Sequence, residues 1–222
     1  MTTNQELTEF LGQYVTEHKK QKMAEVLQQR TRHLTVMLED IYQPHNASAC
    51  LRSCECLGVQ DVHIVERENR YRPNSGVALG SSKWLTLHRY HRTEPCLGHL
   101  KAHGYQLVAT SPSLDGHDLN SLPINRPLAL LMGTEERGLS DVSIRAADMT
   151  LRLSMYGFTE SFNISVSVAV AVSRLMERLR AEHIDWRISD GEKQDLLLEW
   201  YRRTIKRHEL LEQGFWRNGE HS

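Results

Sequence analysis

The chain has 222 residues, 27 Lys+Arg against 28 Asp+Glu, a formal net charge of −1 and 40% hydrophobic residues. That is enough chain for one ordinary core with helical additions, and the balanced charge excludes recruitment of an acidic partner by the field of the whole protein, leaving local patches to do so. No apolar run spans a bilayer, since the Val/Ala-rich stretch after Asn163 is cut by Arg174, and the opening MTTNQELTEF lacks a charged-then-apolar signal, so a soluble, cytoplasmic protein is expected.

Residues 4–29 carry a helical period. Leu7, Phe10, Leu11 and Tyr14 make one apolar stripe, and Met23, Val26 and Leu27 another. The basic run between them, His18-Lys19-Lys20-Gln21-Lys22, fits either phosphate contact or a solvated face. Arg30 and Arg32 lead into the first of six expected strands, at 34–38, 61–66, 84–90, 106–110, 128–132 and 149–155. Helices are expected between and after them, at 46–57, 94–103, 140–147 and 163–181. This alternation predicts an α/β fold, a mostly parallel sheet with helices on both faces. Loop 67–82 carries Arg67, Arg70, Tyr71 and Arg72 and has the length of a functional or mobile loop.

The helix at 163–181 is apolar on nearly every side (Ile164, Val166, Val168, Val170, Val172, Leu175, Met176, Leu179), which calls for burial in a core or at a subunit contact. After Arg180 the composition shifts to a charged helix at 190–213, with Asp190 as its N-cap. Arg202, Arg203, Lys206 and Arg207 are interleaved there with Trp200 and Tyr201. Basic residues mixed with aromatics suit RNA contact, and the same aromatics also suit packing of the helix. The expected organisation is a helical extension at 1–30, the α/β domain at 31–181 and a second extension at 182–222. Cys50, Cys54, Cys56 and Cys96 form no Cys-x-x-Cys and have no neighbouring His set in sequence, so they read as buried thiols, and no metal is expected.

Three segments carry chemistry. PHNASACLRS follows the first strand, with Asn46 placed to cap a helix and Arg52 two turns in. An arginine in an otherwise small, apolar helix suits either an anion or a solvent-facing side. LMGTEERGLS ends an apolar strand in Gly133, continues with Glu135 and Glu136, and offers Ser140 as a helix cap. It is neither a Walker loop nor a G-x-G-x-x-G fingerprint, which disfavours a Rossmann oxidoreductase. LRLSMYGFTESFNISVSVA places Ser161, Phe162 and Asn163 at the mouth of the apolar helix, where open α/β sheets bind ligands.

In order and spacing this trio resembles the three motifs of the SpoU/TrmH RNA 2′-O-ribose methyltransferases of the SPOUT superfamily, over roughly residues 30–180. The resemblance implies a sheet whose C-terminal end forms a deep trefoil knot, S-adenosylmethionine as cofactor, and a homodimer whose composite active site takes residues from both subunits. It places Thr110, Gly133, Leu153 and Phe162 at the cofactor, and Asn46, Arg52, Glu135, Ser161 and Asn163 at catalytic or active-site positions. The flanking helices resemble the branch that methylates the D-loop guanosine, position 18, of tRNA. Ribosomal RNA, another tRNA position, and a catalytically silent RNA-binding protein on the same fold are the alternatives. Candidate RNA contacts are Arg30, Arg32, Arg67, Arg70, Arg72, Arg202, Arg203, Lys206 and Arg207. A guanidinium stays protonated to about pH 12 or above, which favours Arg52 as an electrostatic group over Arg52 as a base.

Overall fold

The computed structural model describes residues 4–69, 80–111 and 115–219. They fall into two compact units: Thr31–Trp186, and the described residues of 1–30 together with those of 187–222. The extensions expected at 1–30 and 182–222 thus fall into one unit, except that residues 182–186 belong to the larger one.

The larger unit is built on six parallel strands: β1 (Leu34–Glu39), β2 (Asp61–Val65), β3 (Thr86–Tyr90), β4 (Gln106–Thr110), β5 (Leu128–Met132) and β6 (Met149–Leu151). Their order across the sheet is β3-β2-β1-β5-β4-β6. β1, β2 and β5 are buried along their whole length, as continuous apolar runs in a covered parallel sheet require. Helices α3 (Pro44–Leu57) and α6 (Ile164–Ala181) pack together on one face, where Cys50, Leu51 and Cys54 meet Val168, Val172 and Leu175 in the main core. α4 (Thr93–Ala102) and α5 (Asp141–Ala146) cover the other, around Met37, Val65, Leu100 and Leu131. Chain progression reverses direction between β1 and β5. In open α/β sheets the crevice beyond the carboxyl ends of such a strand pair is where ligands bind.

Several expected boundaries move. The strand expected at 149–155 ends at Leu151 and the one at 84–90 begins at Thr86, after a short 3₁₀ turn at Ser81–Lys83. Asn46 does not cap its helix. Pro44 starts α3 one residue after Gln43, because its fixed φ suits the first turn, and Asn46 lies inside that turn with its side chain free for other partners. Ser140 caps α5 as its sequence indicated, accepting from the Ser143 N–H. Among the cysteines, Cys50, Cys54 and Cys96 are buried and Cys56 is exposed.

In the terminal unit the helix expected at 4–29 is two, α1 (Asn4–Gly12) and α2 (Glu17–Leu27), broken after Gly12. The helix expected at 190–213 is also two, α7 (Asp190–Thr204) and α8 (His208–Gly219), separated where Arg207 adopts a left-handed φ of 57°. Ser189, not Asp190, caps α7, in a reciprocal capping box with Glu192. α1 packs on α7 and α8, bringing Phe10 to 4.9 Å from Phe215. No helix of the described residues is long and apolar enough to cross a membrane.

Candidate active site at the strand ends

β1 and β5 end side by side, and the residues that follow them meet. Asn46, one turn into α3, donates from Nδ2 to Glu135 Oε1 at 2.9 Å. Asn163, the N-cap of α6, donates to the same oxygen at 2.5 Å and to Asn46 Oδ1 at 3.2 Å. The Ile164 N–H reaches Glu135 Oε1 at 3.3 Å. One carboxylate oxygen therefore gathers donors from two segments far apart in sequence and ties both to its own loop, at a helix N-terminus that favours negative charge. Asn163 Oδ1 meanwhile accepts from the Ser165 N–H at 2.9 Å and the Ser165 hydroxyl at 2.6 Å, which fixes its orientation.

The loop carrying Glu135 is rigidly built. Thr134 and Gly138 exchange backbone hydrogen bonds at 3.1 and 2.9 Å, and Gly138 has φ +66°. A Cβ at Gly133 would lie 2.1 Å from the Gly138 carbonyl carbon, so only glycine permits this approach. Beneath the loop sits Glu39, buried at the end of β1, which sequence analysis did not single out. Its carboxylate accepts from the Thr93 hydroxyl (2.6 Å), the Ser140 N–H (3.0 Å) and hydroxyl (2.7 Å), and the Ser143 hydroxyl (3.0 Å). The one signal available was an acidic pair, Glu39-Asp40, closing an otherwise apolar strand. Asp40, at φ 53°, turns its Oδ1 to the Glu68 and Asn69 N–H groups, both at 2.8 Å. A cavity of about 710 Å³ opens over these groups, lined among others by Glu39, Asn46, Arg67, Glu135, Ser140 and Ile164.

The candidate cofactor residues follow neighbouring strands: Gly133 after β5, Thr110 at the end of β4, Leu153 two residues beyond β6. Thr110 donates its hydroxyl to the Leu131 carbonyl at 2.6 Å. Leu153 packs on the main core, and a second cavity of about 630 Å³ is lined by Arg152–Gly157, Thr159 and Glu160. Phe162 and Ser161 are exposed and lie outside the Glu135 network. Arg52 is exposed on α3 and forms no hydrogen bond or ion pair with another described residue.

The candidate RNA contacts divide sharply. Arg30 is fully buried with its guanidinium 5.5 Å above the Trp200 ring, so it packs the terminal unit and is withdrawn from any surface. Trp200 and Tyr201 are buried too, which settles their role as packing rather than base stacking. Arg202 is held on both oxygens of Glu212 at 2.9 and 2.8 Å, and these bonds lower the Glu212 pKa. Arg203 pairs with Glu199 at 3.0 Å, whereas Lys206 and Arg207 are exposed. Arg32 pairs with Asp61 at 2.6 Å, and Arg67 is half exposed beside Glu68 at 3.1 Å. Arg70 and Arg72 lie outside the described residues.

Residues 33–173 match the model of the SpoU rRNA Methylase family. A tRNA (guanosine(18)-2'-O)-methyltransferase of Borreliella burgdorferi is 42% identical over 202 residues, 91% of this chain and 93% of that protein. One of the same name from Thermus thermophilus is 33% identical over 85% of this chain and 98% of its own length. The solved structure described as the A. aeolicus TrmH/SpoU tRNA modifying enzyme superposes with a TM-score of 0.78 at 26% identity, covering 86% of this chain and 98% of that one. With its three chemical segments converging on one crevice and its match running through the whole sheet, this chain belongs to the SpoU methylase family.

Proposed function

We propose that this protein transfers a methyl group from S-adenosylmethionine to the ribose 2′-oxygen of guanosine 18 in tRNA. The observation that carries the reading is the convergence of Asn46 and Asn163 on one oxygen of Glu135 at the ends of β1 and β5. The names of the relatives supply the substrate.

The residues present fit the cofactor. Backbone groups at Gly133 and Leu153 offer donors and acceptors, and Leu153 and Phe162 offer apolar surface for an adenine and a methionine chain. Bound there, S-adenosylmethionine would supply a methyl carbon made electrophilic by its sulfonium: the carbon–sulfur bond would break to a neutral thioether as the ribose oxygen takes the methyl and gives up its hydroxyl proton to the neighbouring RNA phosphate or solvent. The chain's own task is alignment and charge stabilisation. Glu135 fixes the two asparagine amides and the N-terminus of α6, so the crevice keeps one shape as the ribose enters. Arg52 holds an RNA phosphate and hydrogen-bonds the ribose oxygen as negative charge develops, a role typically worth about 3–4 kcal/mol. Ser161 and Asn163 close the turn beside the cofactor. Of the candidate RNA contacts, Arg67, Lys206 and Arg207 are exposed and meet RNA in addition to Arg52.

The same reading includes the family's C-terminal trefoil knot, a cytoplasmic site of action and a homodimer with a composite active site. Supporting the dimer is an apolar surface in the single chain: Tyr156 is 98% exposed, with Phe158, Phe162, Val166 and Val170 exposed along the approach to α6 and on its outer side.

The test is transfer of a tritiated methyl group to three substrates: a tRNA transcript, the same tRNA with 2′-deoxyguanosine at position 18, and ribosomal RNA. Label in the first alone is expected, because only the 2′-hydroxyl can accept it. Label in the deoxy-substituted tRNA, or in ribosomal RNA alone, overturns the assignment.

A further inference from the structure

β2, β3 and α4 bring together three imidazoles that the methyl transfer does not use. His63 and His88 are direct neighbours in the β2–β3 register, with ring centroids 4.5 Å apart and planes at 11°. His99, from α4, lies 5.6 Å from both rings. One nitrogen of each lies within 4.8 Å of the others. His63 is buried, while His88 and His99 are half-buried, so the cluster has a dry side and an open side.

Each imidazole on the strands already has one nitrogen engaged. His88 Nε2 meets Asp61 Oδ1 at 2.8 Å, and Asp61 is itself fixed by Arg32 at 2.6 Å. His63 Nδ1 meets the Tyr90 hydroxyl at 3.3 Å. A carboxylate or hydroxyl on one ring nitrogen sets the tautomer and turns the other nitrogen into a ligand, the usual outer shell of a histidine metal site. His103, one turn beyond His99, stacks on it at 4.1 Å and has its Nδ1 on the His99 carbonyl at 2.8 Å. These four histidines are scattered through the sequence, so no ligand spacing marks them before the fold assembles them.

We propose that His63, His88 and His99 form a binding site for a late first-row divalent metal ion, Zn²⁺ being the probe of choice. Three neutral imidazoles with no thiolate suit Zn²⁺, Ni²⁺ or Cu²⁺ and leave Mg²⁺ and Ca²⁺ without their oxygen ligands. Zn–N bonds of about 2.0–2.1 Å place ligand nitrogens roughly 3.4 Å apart. Side-chain rotation of His88 and His99 on the open side closes the difference. The fourth position falls to water or to His103. The bound ion ties edge strand β3 to α4, a structural role independent of methyl transfer.

The test is titration of the full-length, chelator-stripped protein with Zn²⁺ by calorimetry, with thermal unfolding in parallel. One equivalent per chain and a raised Tm are expected. His99→Gln and His88→Gln should each weaken binding at least tenfold and abolish the Tm rise. His18→Gln, on exposed α2, should bind as the native chain does. No Zn²⁺ binding by the native chain, or equal binding by the His88 and His99 variants, overturns the proposal and leaves the imidazoles as a packing stack. Loading with Co²⁺ supplies a second measurement: intense visible bands accompany a tetrahedral nitrogen-rich site, and their absence in a folded, stoichiometrically loaded protein also overturns it.

Discussion

Asn46 and Arg52 stand on the same helix within two turns of each other, in opposite situations. Asn46 is bonded to Glu135 and Asn163 before any ligand arrives. Arg52 is exposed and bonded to no described residue. The difference separates the part of the site that folding builds from the part that binding must complete. An amide cluster crossing from β1 to β5 requires a fixed backbone. A guanidinium that meets RNA keeps its rotamer freedom, about 2 kcal/mol, until the phosphate arrives to order it.

The largest expected effect lies on the unbuilt side. Arg52→Ala should lower methyl transfer by about several hundredfold, the scale of a lost oxyanion partner, with Tm little changed because the side chain is exposed and bonded to no described residue. Arg52→Lys should keep a measurable fraction of the activity, since a point charge survives without the fork geometry. A lysine variant as inactive as alanine, with normal tRNA binding, would rule out simple charge stabilisation. A large drop in Tm for either variant would erase the contrast with Asn46.

On the built side the effects should be smaller but cooperative. Glu135→Ala removes the shared acceptor of the Asn46 and Asn163 amides and the Ile164 N–H. A rate loss of about a hundredfold is expected, with only about 1 kcal/mol of stability lost, because Glu135 is exposed and water replaces much of its bonding. Adding Asn163→Ala should cost little more, and a double-mutant cycle measures that non-additivity. Additive losses would mean that the two residues act separately.

This contrast also marks what the sequence discloses. Asn46, Glu135 and Asn163 stand out because each follows a strand end or opens a helix, positions that local patterning reveals; that they share one site was implied only by the resemblance to the SpoU/TrmH motifs. The six strands are legible for the same reason, as apolar runs between turn residues. Arg30 is not, because its partner Trp200 comes from the opposite end of the chain and only tertiary packing unites them. The split of 190–213 is hidden by a polar, basic stretch that stays helix-compatible through Arg207, whose left-handed φ no residue preference announces. Glu39 is missed because a glutamate ending a core strand gives no sign of the four donors that converge on it.

Glu39 supplies the next prediction down in size. Its buried carboxylate holds both the start of α5 and the loop from Gly133 to Ser140. Glu39→Gln turns an acceptor oxygen into an NH₂ group facing donors, which costs about 1–3 kcal/mol. The expected signature is a Tm several degrees lower and a raised KM for S-adenosylmethionine, with kcat changed less than in Glu135→Ala. An unchanged Tm would show that water or a rotated hydroxyl replaces the carboxylate.

The smallest effect reads the two sides of α3 directly. Burial pushes the Cys54 and Cys96 thiols up to about 12 and raises Cys50 well above the usual thiol range, so none of the three offers thiolate at neutral pH. Cys56 is exposed four residues after Arg52, on the same side of the helix. One of the four thiols should therefore react with a disulfide reagent in the native protein, and all four after unfolding. If the Arg52 side of α3 receives RNA, saturating tRNA should slow that single reaction several-fold while the three buried thiols stay silent. An unreactive Cys56 in the free protein would mean that this side is already covered, and an unchanged rate with bound tRNA would place the RNA elsewhere. In the first case Arg52 would lose the open position that distinguishes it from Asn46, and its charge would have to act from inside an assembled contact; in the second it would stay open with no phosphate arriving to order it.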